Sequence, residues 1–126
     1  MASEHFIIPY PKTKEGKKQW NSRYGLNAYY AGKHWSKRRE DAEYWHRIVR
    51  EQIRLQHVRA VPFDKPVEIH FYWNDKLDLS NHAVMAKMIE DAIKGILIRD
   101  DSRAYVAGIC HHWHDKDVIG VGIKEI

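Results

Sequence analysis

Residues 67–95 read VEIHFYWNDKLDLSNHAVMAKMIEDAIKG, and two successive periods in that stretch decide the fold. From Val67 to Trp73 apolar and polar residues alternate. Val67, Ile69, Phe71 and Trp73 therefore face one side of a strand, and Glu68, His70 and Tyr72 the other. Asn74-Asp75-Lys76 reads as a turn. From Asn81 to Lys94 the period changes: Val84, Met85, Met88, Ile89, Ala92 and Ile93 recur at helical spacing and make one broad apolar face. Ser80 suits the N-cap of this helix, and Gly95 stands where a glycine C-terminal cap is expected. A strand with one apolar face, followed by an amphipathic helix, implies a sheet with a helix packed on it.

Working outward, Ser36 to about Arg59 reads as a first long helix. Ser36 is its cap, Arg39 stands at the capping-box position, and Glu40 and Asp41 suit its N-terminus. Ala42, Trp45, Ile48, Val49, Gln52, Ile53 and Gln56 form the inner stripe, and Arg39, Glu43, Arg47, Arg50 and Arg54 a second, charged one. His5 to Tyr10 reads as a short strand, Lys12 to Arg23 as a basic loop, Leu26 to Tyr30 as a short extended piece, and Val61 to Pro66 as a connector. Ala104–Trp113 and Val118–Ile123 are strands joined by residues 114–117. The expectation is a single α+β domain over residues 1–126. It has a mixed β-sheet packed against two main helices, and a C-terminal β-hairpin.

At 126 residues, 44% of them hydrophobic, the chain can build one core. No apolar run approaches the roughly 20 residues of a membrane span, and Met1 to Tyr10 lacks the pattern of a signal peptide. Cys110 is the single cysteine, which excludes an intrachain disulfide and fits a reducing, cytoplasmic location. Net charge is +4 and unevenly spread. Residues 12–23 and 33–59 together hold 13 basic and 5 acidic side chains, leaving the C-terminal half net acidic. That asymmetry points to a polyanion partner for the first half; a solvated helix face explains the charge alone equally well.

Against the basic background stand Asp78, before the second helix, and Asp100-Asp101, after it. Two such carboxylates can hold a hard divalent cation through oxygen. A helix of about 14 residues is roughly 21 Å long, so the chain must fold back after Gly95 for these acidic groups to share one site. Taken singly, Asp78 is a favourable charge at a helix N-terminus, Asp100-Asp101-Ser102 a plain turn, and Lys87 with Asp91 a surface i,i+4 ion pair. Spacing alone makes none of them specific.

The order Asp78-Leu79-Ser80-Asn81, Lys87 with Asp91, Gly95 and Asp100-Asp101 resembles the RusA family of Holliday-junction resolvases, with a weaker match in Asn27-Ala28-Tyr29-Tyr30. The resemblance covers most of the chain and is strongest over residues 67–106. It implies a homodimeric endonuclease, dependent on Mg²⁺ (or Mn²⁺), that nicks branched DNA. By position, Asp78 and Asp101, with neighbouring Asp100, become the metal ligands, and Lys87 the functional lysine. Asn27, Lys33, Arg38, Arg39 and Asn81 become DNA contacts.

Two departures stand out. A family aspartate is Ser80 here, and the segment from Asn81 to Lys87 is about one helical turn longer. Asp100, Glu68, Asp75 or Asn81 are the candidates to replace the missing carboxylate. A non-catalytic DNA-binding or interaction protein of the same fold is the alternative that Ser80 motivates.

Two further groups carry chemistry. In His111-His112-Trp113-His114-Asp115, His112, His114 and Asp115 form a possible Zn²⁺ set, against a solvated hairpin tip. His82 reads as polar surface, with a proton carrier as the other possibility. Trp20, Tyr24, Tyr29, Tyr30 and Trp35 lie among basic residues and suit either base stacking or a packed interface.

Overall fold

The computed structural model describes residues 2–126. In chain order the elements are β1 (Ser3–Pro9), α1 (Lys14–Tyr24), α2 (Leu26–Tyr30), α3 (Trp35–Leu55), β2 (Val67–Trp73), a 3₁₀ helix (Leu79–His82), α4 (Ala83–Ile93), β3 (Val106–Trp113) and β4 (Val118–Glu125). The four strands make one mixed sheet in the order β1-β4-β2-β3. β2 runs parallel to β3 and antiparallel to β4, and β4 runs antiparallel to β1. The domain is α+β, as its patterning predicts.

The strand–turn–strand at the C-terminus is present, with β2 inserted between its arms. Residues 114–117 cross the end of β2, where the Asn74 side-chain amide donates to the Lys116 carbonyl at 3.0 Å. Among the described residues no helix is long and apolar enough to cross a membrane.

Alternation in β2 is strict: Val67, Ile69, Phe71 and Trp73 are all buried, and their partners are Phe6 and Ile8 of β1 and Ile119, Val121 and Ile123 of β4. α3 and α4 cover that face with Trp45, Val49 and Ile53 from one helix and Met85, Ile89, Ala92 and Ile93 from the other. The opposite face of the sheet carries no helix layer. Arg50 ties the two helices together: its guanidinium donates to the carbonyls of Ala92 (3.1 Å) and Lys94 (3.3 Å), two acceptors that the end of α4 leaves free. Gly95 then takes φ +78°, the left-handed turn that glycine adopts without a Cβ penalty. Edge strand β1 is closed by Gln56, whose amide accepts from Ile7 N–H (2.9 Å) and donates to Ile7 C=O (2.8 Å).

Several local expectations change. The basic stretch after Lys12 is helix α1, capped by Thr13, whose hydroxyl accepts from Gly16 N–H at 2.9 Å. It escaped the periodicity because only Trp20 and Tyr24 are buried on it. They join Tyr10 and Trp45 in an edge-to-face aromatic cluster, with ring centroids 5.1–6.2 Å apart. This cluster puts both residues in the core, whereas Tyr30 and Trp35 are exposed. Residues 26–30 form one short helix, α2, in place of an extended piece. The long helix starts at Trp35 and is capped by His34; Ser36 lies inside it.

Its inner stripe begins with buried Asp41, and Ala42 is exposed. Asp41 accepts from Arg23 (2.7 Å), Lys33 (2.6 Å) and Tyr29 (2.8 Å) and so fastens α1 and α2 to α3. Burial acts to raise its pKa, but the hydrogen bonds from Lys33, Arg23 and Tyr29 outweigh it and hold the carboxyl below its usual range.

Two outcomes follow for Asp41. Asp41→Ala should destabilise the domain by about 3 kcal/mol in urea unfolding, because Lys33 loses its buried partner. In the parent, a folded pKa below the unfolded one gives a contribution that is full above the ordinary carboxylate range. It is lost as pH falls through the folded value, and acid unfolding curves of the parent and Asp41→Asn measure it.

Candidate functional site

β2, α4 and β3 form a parallel crossover, and this decides where the acidic residues go. Asp78 follows the C-terminal end of β2, stands just before the 3₁₀ helix and is exposed. The 11 residues of α4 then carry the chain about 16 Å toward the other end of the sheet. After Gly95 the chain turns, but it runs through residues 96–105 to the start of β3, which lies beside the start of β2. Asp78 thus stands at the entrance of the crossover and Asp101 in the segment that leaves it.

Midway along α4, Lys87 has three carboxylates within 4 Å: Asp101 at 2.6 Å, Asp91 at 3.1 Å and Glu90 at 3.4 Å. Lys94 adds contacts to Asp101 (3.1 Å) and Asp91 (3.4 Å). Oxygen atoms of Glu90, Asp91 and Asp101 lie within 4.8 Å of one another, and Asp78 and Asp100 belong to no such group among the described residues. The structure thus brings Lys87 to Asp101 and leaves Asp78 and Asp100 outside that group.

Charge balance in the cluster is three carboxylates against two ammonium groups. Hydrogen bonds from Lys87 and then Lys94 hold the Asp101 carboxyl far below the usual range, and the same bond to Asp101 raises Lys87. Glu90 goes the other way: it is only 5% exposed, and burial pushes its carboxyl up despite Lys87. Residues 87, 90, 91 and 94 follow i,i+3 and i,i+4 spacing along one face of α4, the one signal in the sequence that reveals Glu90 and Lys94.

Two candidate replacements for the missing carboxylate, Asp75 and Glu68, have other partners. Asp75, with a side chain 5% exposed, accepts from Tyr10 (2.8 Å), from Leu77 N–H (3.0 Å) and from His82 Nε2 (2.8 and 2.9 Å). His82 is fully buried, stacked on Trp73 at 4.2 Å, with Nδ1 2.8 Å from the Leu79 carbonyl. Its place is the core, where both ring nitrogens face acceptors, and not the surface expected of it. Glu68 lies on the open sheet face beside His70, at 3.3 Å.

The expected DNA contacts divide. Asn27 and Asn81 line one cleft of about 270 Å³ between the α1–α2 corner and the 3₁₀ helix, on the Asp78 side. Lys33 is committed to Asp41, and it lies 4.5 Å from the Tyr29 ring centroid. Arg38 donates to the Tyr29 carbonyl at 3.0 Å, and Arg39 pairs on the surface with Glu43. A larger cavity of about 810 Å³, which the loop reading of residues 12–23 hid, opens next to Trp20 and sets Lys14, Lys17, Lys18 and Lys76 against Glu15, Asp75 and Asp117. Lys17 is paired there with Asp117 at 2.8 Å.

No family model and no curated protein matches the chain.

The cluster makes a direct prediction about Asp101. In carboxyl-carbon NMR its signal should remain that of the ionised form below the pH at which ordinary aspartates protonate. Removing the main donor in Lys87→Met should move the titration up toward the ordinary range. An Asp101 that titrates normally in the parent would show that the ion pair is not formed in solution.

Proposed function

We propose that this chain is a metal-dependent, structure-selective DNA endonuclease of RusA type that hydrolyses phosphodiesters in branched DNA. One observation carries the reading. Lys87 and Asp101 are 14 residues apart, and the motif order matches both to functional positions; their side chains meet at 2.6 Å beside Asp91.

The donor set fits a hard cation, since Glu90, Asp91 and Asp101 present only oxygen, and Mg²⁺ with Mn²⁺ as its substitute is the ion of choice. When bound, such an ion supplies an activated water and neutralises charge on the phosphate. Asp101 and Asp91 would hold it, and Lys87 and Lys94 would offer their ammonium groups to the phosphate oxygens. The cavity with Lys14, Lys17, Lys18 and Lys76, together with the cleft at Asn27 and Asn81, supplies backbone contacts for the DNA arms. A homodimer in the cytoplasm, acting on a two-fold branched substrate, belongs to the same proposal.

A second reading is favoured by Ser80 and by the separation of Asp78 from Asp101: a branched-DNA-binding protein without cleavage. The discriminating experiment incubates the protein with a labelled four-way junction or linear duplex in Mg²⁺, Mn²⁺ or EDTA. Metal-dependent paired nicks are expected in the junction. Asp101→Asn should abolish them, Lys87→Ala should slow them by about 100-fold, and Asp78→Asn should reduce them less than Asp101→Asn does. Junction binding that falls steeply with salt, with no nicking in any metal, would establish the second reading instead.

A further inference from the structure

The open face of the sheet carries a group that the nuclease reading does not use. His70 on β2 is directly paired with Cys110 on β3, and His112 follows Cys110 on the same face. Nδ1 of His70 lies 2.8 Å from Nε2 of His112, and ring nitrogens of both and the Cys110 sulfur lie within 4.8 Å of one another. All three side chains are half-buried. His112 stacks on Tyr72 with centroids 4.8 Å apart, so its ring is held by packing as well.

The hydrogen bonds set the tautomer. His70 Nε2 faces the Glu68 carboxylate at 3.3 Å, an acceptor, so this nitrogen carries the proton. In the neutral ring the Nδ1 lone pair then accepts from His112 Nε2–H at 2.8 Å, with the Cys110 sulfur within 4.8 Å of both nitrogens. A histidine that donates one N–H to a carboxylate and turns its other nitrogen inward has the arrangement of a zinc ligand with an outer-shell carboxylate. Two imidazole nitrogens on a tetrahedral zinc are about 3.3 Å apart, so opening the 2.8 Å contact by roughly half an ångström makes room for the ion.

We propose that His70 Nδ1, His112 Nε2 and the Cys110 thiolate bind one Zn²⁺, with Glu68 orienting His70 and a fourth position open to water or an exogenous donor on the exposed sheet face. Binding displaces the Cys110 thiol proton to solvent and switches His112 to its Nδ1–H tautomer. This set differs from the one that the sequence alone suggests. His114 lies past the end of β3, with Nε2 donating to the Val118 carbonyl, and Asp115 is an exposed turn residue. The ligands are soft and borderline, in contrast to the oxygen-only cluster at α4, so the site stands independently of the nuclease proposal.

The test uses the untagged full chain. Loaded with Zn²⁺ and desalted, it should retain one equivalent by elemental analysis. Substituted with Co²⁺, it should show the d–d bands of a tetrahedral site and a thiolate-to-metal charge-transfer band. Cys110→Ser should lose that band, His112→Ala should lose stoichiometric retention, and Glu68→Gln should weaken Zn²⁺ by about 10-fold in chelator competition. His114→Ala should change nothing. Cobalt spectroscopy on the parent alone is decisive even if a variant fails to fold. Failure of the parent to retain Zn²⁺, a cobalt spectrum without a thiolate band, or unchanged retention in folded Cys110→Ser and His112→Ala would leave an ordinary imidazole hydrogen bond and overturn the proposal.

Discussion

The parallel pairing of β2 with β3 is the constraint on which the rest of the structure depends. Parallel neighbours require a crossover, and α4 is that crossover. Whatever precedes α4 is delivered to one end of the sheet, and whatever follows it to the other. Asn81 and Asn27 therefore share a cleft beside the entrance to α4, and Asp101 meets Lys87, Asp91 and Lys94 along the helix. Insertion of β4 between β1 and β2 closes the sheet on the same plan: it turns what reads as a simple hairpin into a mixed sheet with β2 at its centre.

A sheet covered on one side only has a second consequence. The covered face is all apolar in β2, whereas the open face carries Glu68, His70 and Tyr72, with Cys110 and His112 beside them. Gly120 of β4 belongs to that open face; a Cβ there would lie 3.1 Å from Tyr72 Cβ, so glycine allows the tyrosine to lie across the strand. His70, Tyr72 and Gly120 line a shallow groove of about 440 Å³ that also takes in Lys116 and Lys124. The chain thus offers two chemically distinct donor sets, carboxylate oxygens along α4 and imidazole–thiolate ligands on the sheet. Glu90, Asp91 and Asp101 offer oxygen alone, whereas His70, Cys110 and His112 offer nitrogen and sulfur, so the two sets differ in the cations they suit.

Basic charge is divided by function as well. Arg23 and Lys33 hold buried Asp41, and Arg50 closes the end of α4. These cations belong to the fold. The lysines that α1 presents around the cavity near Trp20 belong to the surface and supply its positive lining.

Strand β2, the apolar faces of the two long helices and the glycine turn after α4 were legible in the sequence, because period and left-handed backbone preference are local properties. Contact between Lys87 and Asp91 was legible for the same reason: residues four apart on a helix share a face. Helix α1 was not, since its two aromatic anchors carry no meaning until Tyr10 and Trp45 arrive to receive them. His82 was misread as surface, Asp75 as a ligand candidate and Asp41 as a helix N-terminal charge, because their burial depends on partners 7 to 65 residues away. The sequence by itself determined which residues could ligate a metal or hold a phosphate. Only the tertiary structure decided which of them meet, because strand order and crossover direction set those distances and neither is written in any local period.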